Sequence, residues 1–182
     1  MKNIRLILIF ILVSITIFGL VYFWQKIRKE KIKIEYFPIY GSDEQAEKEE
    51  INFYVAIPKN LSLIEKLKII AERLSRFKFG GLPINVLRIE EKNNKKVAII
   101  DLREFITSDS TGYLPSWRKM YFQGSTGGYF TSLTLIKSFL QEDYKGEWID
   151  GVKFYYEGKP ILEEEWDHIF LHKTFYRFVR EY

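Results

Sequence analysis

With 182 residues, 47% of them hydrophobic and 17% aromatic, the chain can bury a core of ordinary size and is not a disordered protein. It contains no cysteine, which excludes disulfides, thiolate nucleophiles and Cys-ligated zinc. The formal charge of +4 is misleading: residues 1–33 carry seven Lys/Arg against the single acid Glu30, whereas the remainder carries 21 Lys/Arg against 23 Asp/Glu. The body of the chain therefore lacks the basic face that phosphate neutralisation needs, and a nucleic-acid partner is not expected.

From Ile4 to Trp24 the only charge is Arg5, and the rest is Ile, Leu, Val, Phe and Tyr with Ser14, Thr16 and Gly19. About 20 helical residues cross the ~30 Å hydrocarbon layer, so this segment predicts a membrane span with Tyr22 and Trp24 in the interfacial aromatic belt. The apolar run meets Tyr22-Phe23-Trp24 and then Gln25-Lys26 rather than small residues, which predicts an anchor that is not cleaved. Residues 1–25 are accordingly read as the anchor, 26–50 as a juxtamembrane segment and linker, and 51–182 as the globular domain.

Within the linker, Ile32, Ile34 and Tyr36 alternate with Lys33 and Glu35, a strand pattern that Pro38 is expected to interrupt. INFYVAIP (51–58) reads as the first core strand. Ser62 and Glu65 have capping-box spacing, and Leu63, Leu67, Ile70, Leu74 and Phe77 form one stripe before Gly80-Gly81 and Pro83 stop the helix. Strands follow over 84–90 and 96–102, with Asn93-Asn94 as the hairpin tip and Val97–Ile100 apolar on both faces, as in a central strand.

Residues 107–122 form a loop long enough to carry function. The glycine-rich GSTGG (124–128) opens a helix whose apolar face is Phe130, Leu133, Ile136 and Leu140, widened by Leu135 and Phe139, with Ser125 or Thr126 as its cap. GSTGG lacks the Gly-Lys-Ser/Thr ending of a phosphate-binding P-loop. Val152, Phe154 and Tyr156 give a strand, and HIFLHKTFYRF (168–178) one or two more.

Three sets of residues could carry chemistry. Asp101 and Glu104 follow the central strand, but a general acid/base pair needs a shared cleft that no other polar cluster defines. His168 and His172 with Glu163–Glu165 could ligate zinc, yet the spacing matches no metal motif, and neither metal nor cofactor is expected. Aromatic and polar side chains at Trp117, Tyr121, Ser125 and Trp148, with the loop from Asp109 to Phe122, are the expected contact surface.

In order and spacing these segments resemble the GerMN domain of GerM-type sporulation and germination proteins. The resemblance covers about Ile51 to Tyr176 and is carried by INFYVAIP, the Leu63–Phe77 helix, VAIIDLREF (97–105), GGYFTSLTLIKSFL, Ile149-Asp150-Gly151-Val152 with Phe154 and Gly158-Lys159, and HIFLHKTFYR near the end. The family's Asp-Leu-Ser is Asp101-Leu102-Arg103 here, one copy stands in place of a tandem pair, and a bare span replaces a lipidated cysteine. The resemblance implies an α+β, βαββαβ-type domain. Its mixed or antiparallel sheet is packed by two helices, as in ring-building motifs.

It also implies a non-enzymatic, membrane-anchored envelope protein that joins protein partners or peptidoglycan and is compatible with a homo-oligomer. The contrasting expectation is an envelope hydrolase or transferase acting through Asp101/Glu104 or His168/His172. Lys26, Arg28, Lys29, Lys31 and Lys33 after the span favour a cytoplasmic domain by the positive-inside rule, whereas the resemblance places it outside the cytoplasm, and the latter is the expectation adopted.

Overall fold

The computed structural model describes residues 2–29, 33–105 and 114–178, with side chains in the first helix described for Ile4 and 11–24. The chain divides into two units, Met1–Lys33 and Ile34–Tyr182. In the first, helix α1 runs Lys2–Lys29. Its described side chains are exposed, and the Thr16 hydroxyl donates back to the carbonyls of Leu12 and Val13. Among the described residues, no helix is long and apolar enough to cross a membrane.

The second unit is α+β. Strands β1 (Ile34–Ser42) and β2 (Glu49–Pro58) pair antiparallel as a separate hairpin. Helix α2 (Leu63–Lys78) leads to β3 (Ile84–Lys92) and β4 (Lys95–Leu102), an antiparallel pair. A π-helical turn at Trp117–Tyr121 precedes helix α3 (Ser125–Leu140), which crosses over to β5 (Gly151–Tyr156), parallel to β4. Two-residue strands β6 (Lys159–Pro160) and β7 (Phe175–Tyr176) both pair with the far edge of β5.

Within the segment expected as linker over 26–50, residues 34–42 form a strand, 43–48 a turn and 49–50 the start of the next strand, and the compact unit starts at Ile34 rather than 51. Pro38 does not end β1: in a two-stranded sheet each strand has an outer edge, where a missing N–H breaks no ladder bond. The phase of β1 is also the reverse of the simple reading. Phe37 and Ile39 enter the core and half-buried Glu35 lies on their side of the strand, while Ile34 and Tyr36 face outward. INFYVAIP consequently pairs with β1 and stays out of the main sheet, although β2-α2-β3-β4-α3-β5 does keep the expected element order.

Local signals read from sequence hold where they depend on near neighbours. Ser62 and Glu65 form the reciprocal box, with the Glu65 carboxylate accepting the Ser62 amide at 2.8 Å. The stripe buries Leu67, Ile70 and Leu74, and the Gly81 amide closes on the Ser75 carbonyl at 2.7 Å to stop α2. Asn93 and Asn94 both take positive φ (52° and 57°) at the two-residue tip between Lys92 and Lys95. β4 lies between β3 and β5 and is buried from Val97 to Leu102.

Helix α3 is buried on nearly every side from Thr131 to Leu140, rather than on one face. Its polar residues serve its neighbours: Ser138 Oγ accepts the Tyr40 amide at 3.0 Å, and Gln141 Nε2 donates to the Pro38 carbonyl at 2.8 Å. Ser132 Oγ accepts the Phe170 amide at 3.1 Å. Gly124, not Ser125 or Thr126, occupies the N-cap, and Ser125 is the first helical residue, exposed. The glycine-rich entry has a packing reason: a Cβ on Gly128 would come within 2.2 Å of the His168 carbonyl oxygen, so only glycine lets the C-terminal loop lie on α3. That loop, with its single helical turn at Glu163–Glu165, occupies most of the 168–178 stretch read as strand, leaving only β7.

Candidate functional site

Because β4 and β5 run parallel, their C-terminal ends open on the same edge of the sheet, with Asp101 opposite Tyr155 and Leu102 opposite Tyr156. Asp101 is fully buried there. One of its oxygens accepts the Gly158 amide at 2.9 Å and the other accepts Arg103 Nε at 2.5 Å. The Arg103 guanidinium also lies 3.7 Å from the Glu157 carboxylate, and Glu157 in turn accepts the Glu104 amide at 2.6 Å. Glu157 and Gly158 both take positive φ in the tight turn joining β5 to β6.

Glu104 is engaged as completely. Its Oε1 accepts the Ser116 hydroxyl at 3.1 Å, the Arg118 amide at 3.0 Å and the Tyr156 hydroxyl at 2.8 Å, while Oε2 accepts the Trp117 amide at 3.2 Å. The carboxylate therefore caps the free amides that open the π-helical turn, where negative charge is favoured. Burial first, and then the bond to Glu104, holds the Tyr156 phenol well above its ordinary value. Both carboxylates thus bond to backbone amides and to neighbouring side chains of this chain, and together they tie β4, the turn and β5 into one corner.

This network yields a prediction about pH. A phenol kept neutral by the fold supports folding fully below its unfolded value near 10, and the contribution is lost as pH rises past that value. Glu104→Gln removes the carboxylate, presents an NH₂ to the Trp117 amide, and is expected to cost about 2 kcal/mol in a urea melt at neutral pH. Tyr156 should then ionise at lower pH, read as tyrosinate absorbance near 295 nm. Unchanged melting and unchanged titration would show that Glu104 does not hold the corner.

The histidines do not come together as ligands. His168 is exposed, and His172 is half-buried with Nε2 3.7 Å from Glu163. Among the described residues no group of three His, Cys, Asp or Glu could hold a metal ion.

The expected contact surface is largely interior. Trp117 is fully buried, its Nε1 donating to the Arg103 carbonyl at 3.0 Å, and its ring lies 4.7 Å from that of Phe79. Trp148 is buried against Phe37 and Tyr144 and donates to the Phe139 carbonyl at 2.7 Å. Tyr121 is half-buried against Phe79 and Trp117. Both indoles are inside because each finds a carbonyl for its N–H, the condition under which tryptophan can be buried. Of the four residues only Ser125 is exposed, and residues 109–113 of the expected contact loop lie outside the described residues.

One feature escaped the sequence reading, a cleft of about 760 Å³ lined by Glu35, Lys59, Ser62, Lys66, Tyr144 and Glu147, among others. Lys66, itself buried, pairs there with Glu35 at 2.9 Å, with Lys59 3.7 Å from the same carboxylate. Burial raises the Glu35 carboxyl, but the bonds from Lys66 and Tyr144 and the two lysine charges outweigh it, and the net direction is downward. A signal was present: Lys66 stands three residues after Leu63 and four before Ile70, on the apolar stripe itself. A buried lysine there demands a carboxylate.

Comparison with protein-family models, with curated proteins and with solved structures gives no match to this chain.

Proposed function

We propose that this chain is a membrane-tethered, non-enzymatic envelope module of the GerMN kind. Its α1 is the anchor, and its 34–182 unit makes contacts with protein partners or peptidoglycan outside the cytoplasm. The observation that carries the non-enzymatic reading is the corner at the end of β4, where both candidate carboxylates, Asp101 and Glu104, are consumed by structural hydrogen bonds. The element order from β2 to β5 supports the GerMN comparison, and the uncharged stretch from 11 to 24 supports the anchor.

A single cysteine tests the location, since the native chain has none. Asn60 is exposed in the turn after β2. The Asn60→Cys chain should react with a membrane-impermeant maleimide in intact cells, and labelling only after permeabilisation would place the unit in the cytoplasm. The non-enzymatic reading predicts that a folded Glu104→Gln chain still complements a deletion strain. Loss of complementation with the fold intact would restore the hydrolase or transferase reading.

A further inference from the structure

The outward face of the β1/β2 hairpin presents Ile34, Tyr36, Pro38 and Tyr40 on β1 and Ile51, Tyr54 and Ala56 on β2. It is apolar toward the open end, whereas nearer the tip Lys137 lies over the Tyr40 ring and pairs with Glu49. Tyr36 is 67% exposed and Tyr54 59%. No element among the described residues hydrogen-bonds its backbone to β2 across the edge away from β1. A contiguous exposed patch of this composition marks an interaction surface.

We infer that this hairpin face is a lipid-contact surface that rests in the headgroup region of the bilayer, with the open end of the hairpin toward the membrane. Three observations point to that occupant. Four residues, 30–33, separate the end of α1 from Ile34, so the five steps from Lys29 span at most about 17 Å. Adding ~7.5 Å of helix from Trp24 to Lys29 keeps Ile34 within about 25 Å of the aromatic belt, less than the ~30 Å length of a nine-residue strand.

The charge along the hairpin is polarised in the same sense. Lys33 and Lys59 flank the open end, where Glu35 on the inner side of β1 pairs with Lys59 and Lys66, while Asp43, Glu44, Glu47, Glu49 and Glu50 outnumber Lys48 at the tip, which an anionic surface would repel. Finally, tyrosine combines an apolar ring with a hydroxyl suited to the interface, and the patch supplies it on both strands. The face also explains why Ile34 and Tyr36 point away from the core.

This inference rests on the anchor reading, and the test separates the two. Full-length single-cysteine chains (Phe18→Cys, Tyr36→Cys, Tyr54→Cys and Leu87→Cys) are spin-labelled in vesicles of phosphatidylcholine and phosphatidylglycerol in equal parts. Leu87 is an exposed apolar residue on β3, outside the hairpin, and Phe18 lies within α1. The labels at Tyr36 and Tyr54 should show a ratio of oxygen to nickel-chelate accessibility several-fold above that at Leu87. If they match Leu87 while Phe18 is lipid-exposed, the hairpin inference fails and the anchor stands. If Phe18 also matches Leu87, the anchor reading fails and the inference with it. Spin–spin broadening between Tyr54 labels, or oxidant-trapped Tyr54→Cys dimers, would assign the face to a second copy and overturn the lipid assignment.

Discussion

Trp117→Ala is expected to lower the unfolding free energy of the 34–182 unit by about 4 kcal/mol, a fall of roughly 10 °C in Tm by calorimetry or circular dichroism. The indole is fully buried, with ring centroids of Phe79, Tyr121 and Phe122 at 4.7, 5.6 and 5.7 Å. Truncation removes those contacts, opens a cavity beneath the π-helical turn and leaves the Arg103 carbonyl without its indole partner. Trp117→Phe keeps most of the volume and is expected to cost only about 1–2 kcal/mol, chiefly the lost hydrogen bond. A Trp117→Ala chain that melts like the parent but loses binding would return Trp117 to the contact surface, against its burial.

The second large effect concerns the Asp101–Arg103 pair, and it should be asymmetric. Arg103→Ala leaves a fully buried carboxylate with only the Gly158 amide to stabilise it, a loss of about 3 kcal/mol. Asp101→Ala should cost less, about 1–2 kcal/mol, because Arg103 is 41% exposed and can turn to Glu157 and water, leaving the Gly158 amide as the main orphan. The double variant Asp101→Ala/Arg103→Ala should then be more stable than Arg103→Ala alone, since it removes the uncompensated charge. Urea melts of the four chains close this cycle. Strict additivity would mean that the two side chains do not depend on one another.

The same corner shows why a site can be visible in a sequence while its role is not. Asp101 and Glu104 stand out after a buried strand, where catalytic carboxylates are often found, and the spacing is identical whether they face substrate or their own backbone. What distinguishes the cases is the return of the chain at Ser116–Arg118 and at Gly158, 12 and more residues away, which supplies the donors. For the two tryptophans the deciding partners are likewise carbonyls of other segments, Arg103 and Phe139. The β1 phase failed for a related reason: its alternation is clear, but Glu35 could join Phe37 on the inner face only because Lys66 of α2 waits there to pair with it.

The sequence by itself determined α2, through a reciprocal cap, a stripe and a glycine stop lying within 20 residues, and likewise the Asn93-Asn94 tip and the central position of β4. These follow from steric and hydrogen-bonding rules that act between near neighbours. Only the tertiary structure decided that β1 and β2 form a hairpin apart from the main sheet, that α3 is enclosed on nearly all sides, and that Asp101, Glu104, Trp117 and Trp148 are interior. Each of those outcomes depends on which distant segment supplies the missing hydrogen bond or apolar cover, and a backbone or side-chain group takes whichever partner the folded chain brings within reach.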